Sequence, residues 1–168
     1  LGIFIAKYSR MSGWVLALGS IIQTIPALGA MAVLMLALGL GANTVIVTLM
    51  LYSILPITQN TYVGMKEVDK NIVEAGYASG TTRFQLLRMV ELPLAISVIM
   101  AGLRTALVVG IGIAALGAFV GAGGLGAIIL TGTNATDGTA IILAGAIPTA
   151  LMAILADLVM GWIERKVH

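Results

Sequence analysis

The residue types that most often carry out chemistry in proteins are nearly absent from this chain of 168 residues. It has no cysteine, and its only histidine, His168, is the last residue. A chain without cysteine has neither a disulfide framework nor a thiolate site, and one terminal histidine cannot build a metal cluster. We therefore expect no catalytic residue of these types and no metal site.

A glycine pattern resembles a cofactor-binding motif in its letters only. Gly121-x-Gly123-x-x-Gly126 has the spacing of the dinucleotide fingerprint. That fingerprint requires a preceding strand and an acidic residue about 20 positions later, whereas an apolar segment precedes it here and the nearest acid is Asp137. The run instead predicts a non-helical corner or a close helix contact. No G-x-x-x-x-G-K-[ST] motif occurs either, so we expect no cofactor in this chain.

Arg104 and Asp157 are charged residues placed well inside apolar segments, where a charge is costly unless it is paired or faces water. At 1.5 Å per helical residue, Arg104 lies about 16 Å from Pro93 and Asp157 about 12 Å from Arg165. These similar depths predict an ion pair that ties two helices together. A position on a permeation path and snorkelling to the membrane surface are the alternatives.

The composition places these residues in a membrane protein. The chain is 60% hydrophobic and 10% charged, while a soluble domain has about 25% charged residues. A bilayer core needs about 20 helical residues per crossing. We predict an all-α fold, a polytopic membrane helix bundle with about four transmembrane helices in a single domain. The predicted spans are 14–38, 44–64, 94–119 and 140–163.

Pro26 falls inside the first predicted span and Pro56 inside the second. Membrane helices tolerate such prolines as kinks when neighbouring groups satisfy the freed carbonyl. We expect simple helix distortion, with a gating hinge as the alternative.

The basic residues predict the orientation in the membrane. With four crossings, every Lys and Arg except Arg104 lies on one side, and the loops 39–43 and 131–139 on the other side have neither. The basic side is cytoplasmic by the positive-inside rule. The net charge of +2 therefore reflects topology and does not indicate nucleic acid binding.

The loop 66–92 forms a charged island on that cytoplasmic side. Asp69 is placed to cap a first helix, and Gly80 suits the left-handed residue that ends it. Thr82 and Gln85 match a capping box, so a second helix should begin near Arg83. Pro93 predicts a bend where the chain re-enters the bilayer.

This island resembles the cytoplasmic loop of ATP-binding-cassette (ABC) importer permeases, E-A-A-x3-G-x9-I-x-L-P. Here it reads Glu74-Ala75-Gly76, Gly80 and Val90-Glu91-Leu92-Pro93 at the family spacing, with Gly76 in place of Ala and Val90 in place of Ile. The resemblance implies a coupling helix over Asp69 to Ser79 that docks on a partner ATPase, which would hold ATP and Mg. The coupling-loop residues it implies are Asp69, Glu74, Ala75, Gly76, Ala78, Ser79, Gly80, Leu92 and Pro93.

Three further runs make the resemblance more specific. Residues 90–106, the glycine corner and residues 142–148 are similar to permeases for the osmoprotectants glycine betaine, carnitine or choline. Such permeases work as pairs in a bacterial inner membrane, receive solute from an extracytoplasmic binding protein, and usually carry at least one more helix upstream. Since the chain begins with Leu1, we expect it to start inside a longer reading frame or to be a minimal subunit, and to form a homodimer or a close heterodimer.

Uncharged polar residues in or near the spans are candidates for the solute route, although hydrogen bonds between helices are the simpler interpretation. They are Gln23, Thr24, Gln59 and Asn60, together with the aromatic Tyr52.

A permease for methionine or another small solute is the alternative function. A channel and an intramembrane enzyme are weaker alternatives, because catalysis needs a group of titratable side chains in a cleft and the spans offer only Arg104 and Asp157.

Overall fold

The computed structural model describes residues 1–7 and 9–166, and the side chains of Ser9 and Arg10 are not among those described; His168 lies outside this part of the chain. Within it the fold is all helical, with no strand. The helices are α1 Gly2–Lys7, α2 Ser9–Thr24, α3 Ala27–Leu38, α4 Ala42–Glu67, α5 Lys70–Ala78, α6 Arg83–Leu86, α7 Leu92–Leu116, α8 Leu125–Thr133 and α9 Thr139–Lys166. A π-helical turn, Leu87–Glu91, joins α6 to α7, and a 3₁₀ turn, Gly117–Val120, follows α7.

Three helical segments are long and apolar enough to cross a membrane: Ala42–Glu67, Arg83–Val120 and Thr139–Lys166. A fourth candidate is the pair α2 and α3, which meet at an angle of 92°. The sequence predicts one kinked helix over 14–38, and this prediction is wrong. Pro26 has no N–H and ends α2, so the chain turns there and starts a new helix at Ala27.

Helix α4 forms the centre of the bundle and contacts α1, α2, α3 and α7. It packs closely against α7 through glycines, because a glycine lets two helix backbones approach. A Cβ at Gly102 would lie 2.7 Å from the carbonyl oxygen of Pro56, and one at Gly64 would lie 3.0 Å from that of Ala95. Met31, Val45, Tyr52, Ile113 and Val120 form a buried apolar cluster around α4.

The chain does not bend at Pro93. Residues Arg83–Val120 form one continuous helical segment, and Leu92 keeps right-handed helical geometry with φ −66° and ψ −47°. In an α-helix the proline ring would clash with the carbonyl four residues earlier. The π-helical turn Leu87–Glu91 precedes the proline, and the Leu92 amide donates to the Leu87 carbonyl instead.

The glycine run after α7 forms a corner, as the sequence predicts. Gly121, Gly123 and Gly124 have φ of +77°, +74° and +75°, values that favour glycine. Helix α8 follows, which the sequence interpretation missed. It packs against the first turns of α9, and the connector predicted at 131–139 is shortened to the residues between Thr133 and Thr139.

Candidate functional site

The loop between α4 and α7 has the local structure that its sequence predicts. The carboxylate of Asp69 accepts a hydrogen bond from the Asn71 amide at 2.8 Å, which confirms the cap of α5. Gly80 has φ +78° just after the end of that helix. The capping box of Thr82 and Gln85 is also confirmed, and α6 begins at Arg83.

Helices α5 and α6 pack on each other at Gly76. A Cβ added at Gly76 would overlap the Cδ1 methyl of Leu86, a side chain that is only 1% exposed. The Thr81 hydroxyl donates to the Gly76 carbonyl at 2.6 Å. In the sequence, Gly76 is a departure from the E-A-A pattern, whereas in the structure it is the contact point between the two helices.

The remaining surface of α5 is accessible. None of its residues is buried, and Glu74, Ala75 and Ala78 are exposed together with the following Ser79. The Ser79 hydroxyl donates to the Ala75 carbonyl at 2.9 Å, so its polar group is already used within the helix. Leu92 is half-buried and Pro93 exposed at the start of α7. The loop 66–92 therefore contains a capped helix with an exposed face, and it leads into a long helix.

The structure brings Arg104 of α7 and Asp157 of α9 together. The guanidinium donates from Nε to Oδ1 at 2.5 Å and from Nη2 to Oδ2 at 2.6 Å, the bidentate geometry of a strong charge-assisted pair. Nη1 also reaches Oε2 of Glu164 at 3.5 Å. The sequence interpretation missed Glu164, although its spacing of seven residues from Asp157 places both on one face of a helix.

Gly161 lies between those two carboxylates and makes room for the arginine. A Cβ there would lie 3.1 Å from Nη1 and 3.3 Å from Cζ of Arg104. The side chains of Arg104 and Asp157 remain 37% and 40% exposed within the chain. The pair is thus seated on α9 without being enclosed by the rest of the chain.

A cavity of about 570 Å³ opens beside α4. Its lining includes four of the five residues predicted for the solute route, Gln23, Tyr52, Gln59 and Asn60, but not Thr24. Within the described part of the chain, none of the residues that line this cavity carries a formal charge. Their role in transport remains a prediction.

Several of these polar groups hold the helices in place. Pro56 cannot donate to the Tyr52 carbonyl, which accepts instead from Nε2 of Gln23 at 3.2 Å. The Tyr52 hydroxyl in turn donates to the Ile25 carbonyl, beside the break at Pro26. Hydrogen bonding between helices therefore accounts for Gln23 and Tyr52.

The other polar candidates have different settings. The Thr24 hydroxyl and the Asn60 amide donate within their own helices, to Ile21 and Pro56. Gln59 is exposed on the cavity. It is therefore the candidate whose side chain is best placed to meet a solute.

Helices of membrane length, with an exposed capped loop between two of them and a partly polar cavity alongside, define a polytopic membrane protein. The chain belongs to the family described as binding-protein-dependent transport system inner membrane component, whose model matches residues 1–168. It is therefore a membrane-spanning permease component of such a transport system.

Relatives support this assignment. The chain is 70% identical over 165 residues to the glycine betaine/carnitine/choline transport system permease protein OpuCD of Bacillus subtilis, covering 98% of this chain and 72% of the relative. It is 66% identical to the choline transport system permease protein OpuBD of the same organism, covering 98% and 73%. It is 62% identical to the carnitine transport permease protein OpuCD of Listeria monocytogenes, covering 100% and 75%.

The fold is similar to a solved structure of the inward-facing MetNI methionine ABC transporter. The TM-score is 0.85 over 98% of this chain and 79% of the other, at 23% sequence identity. At this identity the likeness shows the fold alone.

Proposed function

We propose that the chain is the permease subunit of an ATP-driven importer for a small osmoprotectant such as glycine betaine, carnitine or choline. The solute class is supported by the printed activities of relatives that are 62% to 70% identical over nearly the whole chain. Methionine transport has weaker support, since the structural likeness to that transporter is at 23% identity.

The observation that carries the coupling to ATP is the exposed α5 helix. Its two ends are defined by Asp69 and Gly80, and it packs on the start of the segment that continues into α7. A short capped helix transmits displacement, and an exposed helix can lie in a groove of another protein. The partner is an ABC ATPase subunit that holds ATP and Mg, because this chain has no phosphate-binding loop of its own.

In the proposed cycle, closure of two ATPases on ATP pulls the two coupling helices of a permease pair. Helix α7 carries the displacement into the bundle and switches access to the solute from one side of the membrane to the other. The coupling loop and the C-terminus face the cytoplasm, and a binding protein delivers solute from the opposite side. This chain transmits the displacement and provides part of the solute path, and it does not itself catalyse a reaction.

The cavity suits such a solute by its lack of charge. A quaternary ammonium group has no N–H to donate, and a charged wall would either trap it or repel it. Amide and hydroxyl groups at Gln59, Asn60 and Thr105 provide polarity without formal charge. Selection would then belong to the binding protein, where aromatic residues suit a cation.

The test is reconstitution of the permease with its ATPase and binding protein in proteoliposomes. We expect glycine betaine, carnitine or choline to stimulate ATP hydrolysis and to accumulate with ATP, and methionine to do neither. Stimulation by methionine alone would favour the alternative solute class. Solute flux without any need for ATP would indicate a channel and refute the proposal.

A further inference from the structure

Helix α9 packs against α7 and α8, and two of its glycines lie at close contacts. It has 28 residues, of which only Gly145 and Gly161 are buried. A Cβ at Gly145 would lie 2.9 Å from the Leu125 carbonyl oxygen of α8, while Gly161 receives the guanidinium of Arg104. Many of its large apolar side chains are exposed, including Leu151, Leu155 and Trp162.

The apolar packing between α7 and α9 borders an open groove. The groove has a volume of about 440 Å³ and is lined mainly by α7, with Leu107 and Ala114 of α7 and Met160 of α9 in its lining. The bidentate pair of Arg104 with Asp157 adds a directional polar contact to the apolar packing of this half of α9.

Arg104 is also on the element that the coupling loop would move. The continuous segment Arg83–Val120 starts at the capping box beside α5 and includes Arg104. A displacement of α5 would pass into this segment through the contact of Gly76 with Leu86. The only formally charged link from this segment to α9 among the described residues is the one that Arg104 makes to Asp157 and Glu164.

We propose that Arg104, seated at Gly161 between Asp157 and Glu164, is a positioning residue that makes α9 follow α7 during the transport cycle. The inference rests on the proposed function. The two carboxylates, seven residues apart on one face of α9, both contact the arginine and form a clamp that opposes sliding and rotation of α9 against α7. Without this clamp, ATP hydrolysis would still move α7, but α9 would lag and solute transfer would lose its link to the ATPase.

The test replaces the ion pair with a reversible covalent link. The natural chain has no cysteine, so Arg104→Cys with Asp157→Cys introduces its only thiols, and a bifunctional thiosulfonate can join them. In the reconstituted complex we expect the amount of solute moved per ATP to fall about tenfold without the reagent, a loss within the range of coupling interactions. We expect cross-linking to restore it and reduction to abolish it again.

The wild-type permease complex treated with the same reagent controls for thiols on the partner subunits. If the double variant keeps the wild-type ratio before cross-linking, or if cross-linking fails to restore a lost ratio, the clamp is refuted. A merely structural role predicts a lower thermal midpoint with an unchanged solute-to-ATP ratio, which would also refute it.

A second variant covers the case in which the double variant does not assemble. Gly161→Leu puts a large side chain where the Arg104 guanidinium lies, since even a Cβ there would be 3.1 Å from Nη1, whereas a Cβ at Gly112 on α7 meets nothing within 4 Å and Gly112→Leu is the control. We expect the ratio of solute to ATP to fall for Gly161→Leu only. Equal ratios for the two variants would contradict the proposal. If wild type itself shows no solute-stimulated hydrolysis, the proposed function has failed, which is a separate result.

Discussion

At the scale of single residues, the glycines of the corner show how one pattern serves different physical needs. Gly121, Gly123 and Gly124 have positive φ. Gly126 does not have a positive φ, and it is required because a side chain there would overlap the neighbouring backbone. The letters that match a dinucleotide fingerprint are thus accounted for by backbone geometry and helix packing. Each position tolerates a side chain poorly for its own reason.

Gly126→Ala should destabilise the protein by about 2 kcal/mol, because overpacking against a rigid neighbour is costly. The added Cβ would overlap the backbone carbonyl of Ala115, which cannot move as a side chain can. The measurement is the unfolding midpoint of the purified protein in detergent. Gly29→Ala is the control, since its Cβ meets nothing within 4 Å in helix α3, and it should be neutral or stabilising. Equal midpoints for the two variants would contradict the packing argument.

Gln59→Lys should discriminate between solutes. A positive charge on the uncharged cavity wall repels choline, a cation, more than glycine betaine, which has no net charge. A repulsion of about 1 to 4 kcal/mol at close range corresponds to a fall in choline transport of about fivefold to several hundredfold. Uptake rates of the two solutes are measured side by side. Gln59→Met should slow both equally, and a choline rate unaffected by the lysine would remove Gln59 from the solute route.

At the scale of elements, the connection between the coupling loop and the bundle matters most. The sequence predicts a bend at Pro93, which would place a flexible joint there. The π-helical turn Leu87–Glu91 absorbs the proline, and α6 continues into α7. A continuous helix transmits displacement over its length, so the observed connection is a stiffer lever than the predicted one.

Asp69→Ala should weaken α5 by about 1 kcal/mol, the usual cost of losing an N-cap. The lost bond is the one from the Asn71 amide to the Asp69 carboxylate. We expect faster amide hydrogen exchange across Lys70–Ala78 and weaker solute stimulation of the ATPase. Asp69→Asn should preserve both, because asparagine caps about as well as aspartate. If Asp69→Asn lost as much protection and stimulation as Asp69→Ala, the charge of Asp69 would matter and its capping would not.

At the scale of the whole molecule, the basic residues and the helix order predict a direction for the chain. Ser79 and Asn134 are both exposed and lie in loops at opposite ends of the bundle. Ser79→Cys and Asn134→Cys introduce single thiols into a chain without cysteine. We expect an impermeant maleimide to label Cys at 134 in intact cells and Cys at 79 only in inverted vesicles. The reverse pattern would overturn the predicted orientation.

Much of the coupling loop could be predicted from its sequence. Asp69, Gly80 and the pair of Thr82 with Gln85 act within four residues of their own position, so short spacings contain the necessary information. The ion pair predicted from the similar depths of Arg104 and Asp157 was also confirmed, because helical rise is uniform and both helices are nearly continuous. Glu164 was missed because the length and flexibility of arginine allow it to reach a second partner that depth alone does not indicate.

The sequence by itself determined the membrane class, the approximate positions of the last three spans, the helix caps and the glycine corner, since hydropathy and hydrogen bonding within a few residues decide these features. Only the tertiary structure decided the 92° turn at Pro26, the continuous helix through Pro93, the hairpin of α8 with α9 and the seat of Arg104 at Gly161. Each of these depends on which distant group satisfies a freed carbonyl or fills the space beside a glycine, and that is settled by packing between helices far apart in the chain.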